Sequence, residues 1–138
     1  MSVLQPAAAG PSLIVCNTCR WSADAAVDDQ GVRGGARLAE ALRAAKDGDP
    51  RLAALAVEEM ACLFNCGQRC SVHLRAPGKI GYVLGRFEPT AEAAQALLDY
   101  AAAYLESAEG VVPYQRWPEG VKGHFIVRTP PAGQIVGD

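Results

Sequence analysis

The stretch SVHLRAPGKIGYVL, residues 71–84, contains two short apolar runs separated by a turn signal. Val72 and Leu74 alternate with polar residues in the first run. The second run, 80–84, is rich in β-branched and aromatic residues. Because Pro77-Gly78 lies between the two runs, the stretch predicts a β-hairpin.

A helix is predicted on each side of this hairpin. Downstream, Thr90 is a suitable N-cap, and apolar residues then repeat at helical spacing up to Gly110: Ala94, Leu97, Leu98, Ala101, Leu105 and Ala108. Upstream, residues 36–46 place Leu38 and Leu42 one turn apart, and Gly48-Asp49-Pro50 ends the pattern. Both segments therefore predict amphipathic helices.

The order of elements predicts the fold class. Residues 12–15 predict a buried strand, and the polar, glycine-containing residues 20–35 predict an exposed loop. Residues 52–60 favour helix by intrinsic propensity, although a strand at 56–60 is left open. Strand, helix, uncertain strand, hairpin and helix together predict an α/β two-layer sandwich. We expect a tail at 1–11, one domain at 12–110, and an extension at 111–138 that packs on the domain or on a partner.

Composition excludes several classes of protein. A chain of 138 residues fits one domain without disulfides, and its net charge of −2, with no basic run, argues against nucleic-acid or membrane-surface binding. The start lacks a secretory signal, and residues 91–108 carry three acidic side chains, so no transmembrane span is expected. We expect a cytoplasmic protein. In a reducing compartment, clustered cysteines indicate metal or redox chemistry more often than disulfides.

Five cysteines form two groups that only folding can bring together. The first group is Cys16-x-x-Cys19, and the second is Cys62-x-x-x-Cys66-x-x-x-Cys70. Thiolates are strong ligands of iron–sulfur clusters and of zinc. Such grouping is unusual for cysteines that only pack in a core, so we interpret these residues as binding an inorganic centre.

Two alternatives use the same thiols. A dithiol like that of thioredoxin would use Cys16 and Cys19, but a polar loop follows them instead of a clear helix, and the second group would be unexplained. Zinc sites usually pair two CxxC-like motifs, whereas the second group here is spaced by three residues twice. Arg20 and Arg69 flank cysteines, and we interpret both as ordinary surface residues.

The cysteines and their surroundings resemble a bacterial family of predicted metal-binding proteins, often encoded near cobalamin-synthesis and cobalt-handling genes. The resemblance extends from about Ile14 to Pro131. The residues that carry it are Cys16, Cys19, Arg20, Cys62, Leu63, Cys66, Cys70, Val72, Leu74, Tyr82, Leu84, Gly85, Gly110, Val112, Pro113, Tyr114, Arg128, Pro130 and Pro131.

The chain is also distantly similar to thioredoxin-like [2Fe–2S] ferredoxins, in which a C-x-x-x-C pair precedes a β-hairpin. This resemblance implies a thioredoxin-like fold with a central sheet and two helices, and it favours a strand at 56–60. It implies ligands at Cys16, Cys19, Cys62 and Cys66. Those ferredoxins space their first pair more widely, so Cys70 could replace Cys19 as the fourth ligand.

The combined prediction is a [2Fe–2S] electron-transfer protein without enzyme activity of its own. The resemblance implies service to cobalamin or cobalt metabolism, with a flavin or corrinoid enzyme as the redox partner. The main alternative is a metallochaperone or metal sensor that binds Zn(II) or Co(II), and the third is a dithiol oxidoreductase. Core or subunit packing explains Tyr100 and Tyr104 on the second helix, which leaves a homodimer open.

Overall fold

A five-stranded mixed sheet forms the centre of the fold in the computed structural model, which describes residues 2–65 and 67–137. Along the sheet the strands lie in the order β2-β1-β3-β4-β5, with β1 parallel to β2 and the other neighbouring pairs antiparallel. Their bounds are β1 Ser12–Cys16, β2 Ala56–Met60, β3 Val72–Arg75, β4 Gly81–Leu84 and β5 Phe125–Thr129. The predicted strand at 12–15 and the predicted hairpin are present.

Two helices, α1 (Gly34–Lys46) and α2 (Ala91–Glu106), pack together on one face of this sheet. Their buried side chains share one apolar core with alternate residues of the strands, because successive side chains of a strand point to opposite faces. Thr90 caps α2 by accepting a hydrogen bond from the backbone N–H of Ala93 at 3.2 Å. The predicted α/β class, with a central sheet and two helices, is confirmed.

The helix that intrinsic propensity favours at residues 52–60 is not formed, and the strand favoured by the resemblance is correct. Pro50–Leu52 form one turn of 3-10 helix, after which β2 pairs with β1 in parallel register. Arg43 of α1 supports β2 by donating hydrogen bonds to the Val57 carbonyl at 3.1 Å and to the Glu59 carboxylate. These tertiary contacts outweigh the local preference for helix.

The segment after residue 110 contributes to the same sheet and core. β5 pairs with β4, and the Phe125 ring packs edge-on against the Tyr82 ring at a centroid distance of 5.6 Å. Val112 and Val121 are buried in the core. The segment that was expected to pack on the domain or on a partner thus supplies the fifth strand.

Strand directions bring three chain segments to one edge of the sheet. β1 and β2 are parallel and β3 is antiparallel to β1, so the carboxyl ends of β1 and β2 lie beside the amino end of β3. Cys16 is the last residue of β1, Cys62 follows β2, and Cys70 precedes β3. We call this region the cysteine edge.

Candidate metal centre

The turn from Cys16 to Cys19 is held between the two strands that neighbour β1. The backbone N–H of Cys16 donates to the Ser71 carbonyl at 3.0 Å, and that of Asn17 donates to the Met60 carbonyl at 3.0 Å. These bonds tie the first cysteine group to the segments that carry the second group. Because β1 lies between β2 and β3, the two cysteine groups come close to each other although they are far apart in sequence.

Hydrogen bonds surround the sulfur of Cys16. It lies 3.6 Å from the Thr18 hydroxyl oxygen and 3.9 Å from the Ala61 carbonyl oxygen. The Thr18 hydroxyl itself donates to the Ala61 carbonyl, which joins the turn directly to the loop after β2. The backbone N–H of Leu63 also donates toward the Cys16 sulfur. Sequence analysis missed these contacts, since backbone groups carry no residue signature.

The pKa values of the two thiols in the turn move in opposite directions. Burial acts to raise the pKa of Cys16, but hydrogen bonding to its surroundings, which include the Leu63 and Thr18 backbone, outweighs burial, so the pKa is lowered. Burial raises the pKa of Cys19 to about 11, and the neighbouring Cys16 acts in the same direction. The Cys16 sulfur is thus the one of this pair whose hydrogen bonds favour negative charge.

The start of α1 lies directly against the Cys16–Cys19 turn. The backbone N–H of Gly35 donates to the Cys19 carbonyl at 3.2 Å. A side chain at Gly34 or Gly35 would overlap the carbonyl oxygens of Arg20 and Cys16, so only glycine allows this approach. The positive end of a helix favours negative charge nearby, as a thiolate centre would supply. The adjacent glycines were the sequence signal for this contact.

Hydrogen bonds to charged side chains hold Asn17, which follows Cys16 in the turn. The Asn17 amide donates to the Glu59 carboxylate at 3.3 Å, and Arg43 of α1 donates to the same carboxylate. The pKa of Glu59 is lowered, mainly by the hydrogen bond from Arg43. The turn is therefore held from α1 and β2 together.

Cys62 and Cys70, of the second cysteine group, differ in their exposure to solvent. Cys62 is partly exposed, and its sulfur accepts a hydrogen bond from the backbone N–H of Phe64 at 3.3 Å. Cys70 is fully buried, with its sulfur 3.9 Å from the Arg20 carbonyl oxygen. Burial raises the pKa of Cys70 to about 12, and the nearby Cys19 adds to this effect. The structure thus places Cys62 near solvent and Cys70 inside the core.

The predicted ligand set stays a prediction. Cys66 lies outside the described residues. Among residues 2–65 and 67–137, no group of three or more His, Cys, Asp or Glu side chains is close enough to hold a metal ion. The donor chemistry fits a thiolate-bound centre, however, because Cys16 ends β1, Cys62 follows the adjacent strand β2, and the Cys62 sulfur accepts the backbone N–H of Phe64.

No helix within residues 2–65 and 67–137 is both long enough and apolar enough to cross a bilayer.

The sheet, the two helices on one face and their connection define a thioredoxin-like fold. The structure aligns with that of a thioredoxin-like [2Fe–2S] ferredoxin from Aquifex aeolicus, with a TM-score of 0.53 and 20% sequence identity, over 93% of this chain and 100% of the ferredoxin. The chain belongs to the family described as protein of unknown function DUF1636, which it matches over residues 13–131. No curated protein matches the chain.

Proposed function

We propose that this protein is a one-electron carrier whose cysteines bind a [2Fe–2S] cluster. The observation that carries the proposal is that Cys16 ends β1 and Cys62 follows the neighbouring strand β2 at the same edge of the sheet, where the backbone N–H of Phe64 donates to the Cys62 sulfur at 3.3 Å. The thioredoxin-like fold, shared with a structure described as a [2Fe–2S] ferredoxin, supports the same interpretation.

Cys16, Cys19, Cys62 and Cys66 are the proposed ligands. Four thiolates complete a [2Fe–2S] site, so one of the five cysteines is spare. We assign that place to Cys70, because it is 0% exposed and its sulfur lies beside the Arg20 carbonyl, whereas Cys19 shares one short turn with Cys16. When bound, the cluster supplies a reversible one-electron couple.

The remaining residues of the site hold the ligands and tune their charge. The N–H groups of Leu63 and Phe64 stabilise negative charge on the two sulfurs to which they donate. The Thr18 hydroxyl keeps the first turn against the loop after β2. Cys16 and Cys19 are 5% and 7% exposed, so these two sulfurs are shielded from exchange with water.

The test is anaerobic purification followed by visible absorption, iron and sulfide assays, and electron paramagnetic resonance after dithionite. We expect brown protein with two irons and two labile sulfides per chain, whose visible absorption bleaches on reduction. Colourless protein with stoichiometric zinc or cobalt and no sulfide would support the metallochaperone or sensor instead. Metal-free protein that reduces disulfide substrates through Cys16 and Cys19 would support the dithiol oxidoreductase.

We further propose a flavin or corrinoid enzyme as the redox partner. Reduced protein should pass one electron to such an acceptor and keep its iron, because a carrier retains its cluster through turnover. Iron appearing on the acceptor without its reduction would contradict the carrier function. Service to cobalamin or cobalt metabolism is an expectation from the family resemblance.

Tyr100 and Tyr104, which left subunit packing open, are 1% and 0% exposed within a single chain. Core packing therefore accounts for both rings, and a homodimer stays a prediction.

A further inference from the structure

Phe64, in the loop after Cys62, holds an aromatic ring in water. Its side chain is 96% exposed, although phenylalanine is usually buried. Its backbone has a φ of +58°, in the left-handed region that bulky residues rarely adopt. The same conformation lets its N–H donate to the Cys62 sulfur at 3.3 Å. The same residue thus donates its N–H to the sulfur and exposes its ring to solvent.

The backbone requirement alone does not explain a phenylalanine at this position. Glycine adopts a left-handed conformation without steric cost, and asparagine tolerates it well. Either residue would offer the same N–H to Cys62 without exposing a ring. Met60, at the end of β2, is also 41% exposed and adds apolar surface near the same loop. An exposed ring at a strained position beside a ligand indicates a surface that is covered during function.

Three arginines on chain segments of the cysteine edge have no carboxylate partner in the described chain. Arg20 follows Cys19 directly, and Arg33 donates to the Thr18 carbonyl at 3.4 Å. Arg86 donates to the side chain of Gln68, which lies between Cys62 and Cys70 in the sequence. All three residues are exposed.

Acidic side chains near the cysteine edge are mostly neutralised. Glu59 is paired with Arg43, and Glu88 with Arg69 at 2.9 Å. Asp24 and Asp29, in the loop that carries Arg20 and Arg33, have no ion pair among the described residues. The unpaired arginines of this edge are therefore its positive groups, in a chain whose net charge is −2.

We propose that Phe64 and Met60, together with Arg20, Arg33 and Arg86 on neighbouring segments, form the docking face for an electron acceptor protein whose own surface is acidic beside an apolar patch. The proposal rests on the proposed electron-carrier function. Apolar contact at this face would bring the acceptor close to Cys62, and the arginines would steer its approach. Each productive encounter oxidises this protein by one electron and reduces the acceptor's redox group by one electron.

The experiment follows electron transfer from the reduced, cluster-loaded protein to flavodoxin, an acidic flavoprotein, by stopped flow. Phe64→Asn keeps a residue suited to the left-handed backbone and removes the ring. We expect its second-order rate constant to fall about tenfold, while the absorption spectrum and reduction potential stay unchanged. Ile135→Asn, which removes an apolar side chain that is 87% exposed in the carboxyl-terminal tail, is the matched control and should leave the rate unchanged.

The arginines are tested by salt and by charge reversal. With flavodoxin, the wild-type rate constant should fall as ionic strength rises, and Arg20→Glu should lower it several-fold at low salt and flatten its salt dependence. Arg75→Glu, at the opposite end of β3, is the control and should change neither. Cytochrome c, a basic acceptor, should show no such fall with salt.

The docking proposal and the proposed function fail in different ways. Protein that assembles a cluster, but whose Phe64→Asn and Arg20→Glu variants react with flavodoxin at the wild-type rate, would overturn the docking face alone. Absence of any cluster would overturn the proposed function. A separate test of the docking face is NMR titration of the labelled protein with oxidised flavodoxin, which should shift the resonances of residues 60–65. Titration shifts confined to other surfaces would contradict the docking face.

Discussion

At the scale of single residues, the surroundings of a sulfur decide what a cysteine can do. Cys16 is the last residue of a central strand, and hydrogen bonds lower its pKa despite burial. Cys70 is only a few residues from Cys62 in sequence, yet burial holds its thiol neutral, with its pKa raised to about 12. A neutral buried thiol packs as a small hydrophobe, whereas a thiolate binds metal.

Replacement of these two residues by alanine should therefore have different effects. We expect Cys70→Ala to keep normal iron and sulfide content and to lower the free energy of unfolding of the apo-protein by about 1 kcal/mol, through lost packing. Cys16→Ala should lose the cluster. Iron and sulfide assays measure the first quantity, and urea denaturation of the apo-proteins measures the second. Loss of the cluster in Cys70→Ala, with the apo-protein equally stable, would make Cys70 a ligand and leave Cys19 spare.

The remaining proposed ligands rank by their place in the site. Cys62→Ala and Cys66→Ala should abolish cluster assembly, because Cys70, the other cysteine between β2 and β3 in the sequence, is buried in the core. Normal cluster content in Cys66→Ala would contradict the proposed ligand set.

At the scale of elements, α1 positions the first cysteine group although 17 residues of loop and turn separate its start from β1. Gly34 and Gly35 allow the helix to meet the backbone of the Cys16–Cys19 turn, and Arg43 on the same helix binds Glu59 of β2. The turn is thus fixed between one helix and two strands, which keeps its sulfurs in place with or without a bound centre.

A side chain at Gly35 should disrupt this contact. A Cβ atom there would overlap the Cys16 carbonyl oxygen and lie 2.9 Å from the Cα atom of Asn17, and both of these are backbone atoms. We expect Gly35→Ala to destabilise the protein by about 3 kcal/mol, at the upper end for overpacking, and to reduce cluster retention. Gly10→Ala, at a glycine with open space around it, is the control. Thermal unfolding and iron content give the comparison, and equal values for both variants would refute a close packing role for Gly35.

At the scale of the whole molecule, the carboxyl-terminal segment completes the core. The Trp117 ring lies edge-on to Tyr100 of α2 at a centroid distance of 6.1 Å, and its indole N–H donates to the Val112 carbonyl at 2.8 Å. Val121 is 0% exposed and packs in the same core. Together with β5, these contacts cover α2 and the edge of β4.

A chain ending at Gly110 should consequently fail to fold cooperatively. It loses β5 and the buried side chains of Val112 and Val121, and each fully buried side chain of this size contributes about 1.5–3 kcal/mol. With the strand pairing lost as well, the total is comparable to the whole free energy of unfolding of an ordinary domain. A chain ending at Pro131 keeps every described helix and strand and should unfold near the full-length temperature. Circular dichroism on heating distinguishes the two, and a sharp transition in the shorter chain would show that residues 1–110 fold alone.

Where local signals are strong, the sequence by itself determined the elements. The Pro77-Gly78 turn between two apolar runs was enough to predict the hairpin, and Thr90 with its helical repeat was enough to predict α2. Soft, ionisable sulfur in two groups indicates an inorganic centre, which stays a prediction. The predictions of the hairpin and of α2 are confirmed, because turn geometry and capping depend on residues close together in the chain.

Tertiary structure alone decided β2, the approach of α1 to the cysteine turn, and the burial of Cys70. Intrinsic helix preferences of ordinary residues differ by less than about 1 kcal/mol per residue, so pairing with β1 overrides them at residues 56–60. Which sulfurs meet, and which thiol is buried neutral, depends on strand order and on atoms far apart in sequence. Local sequence patterns do not predict the distances between these sulfurs, because those distances are set by the position of β1 between β2 and β3.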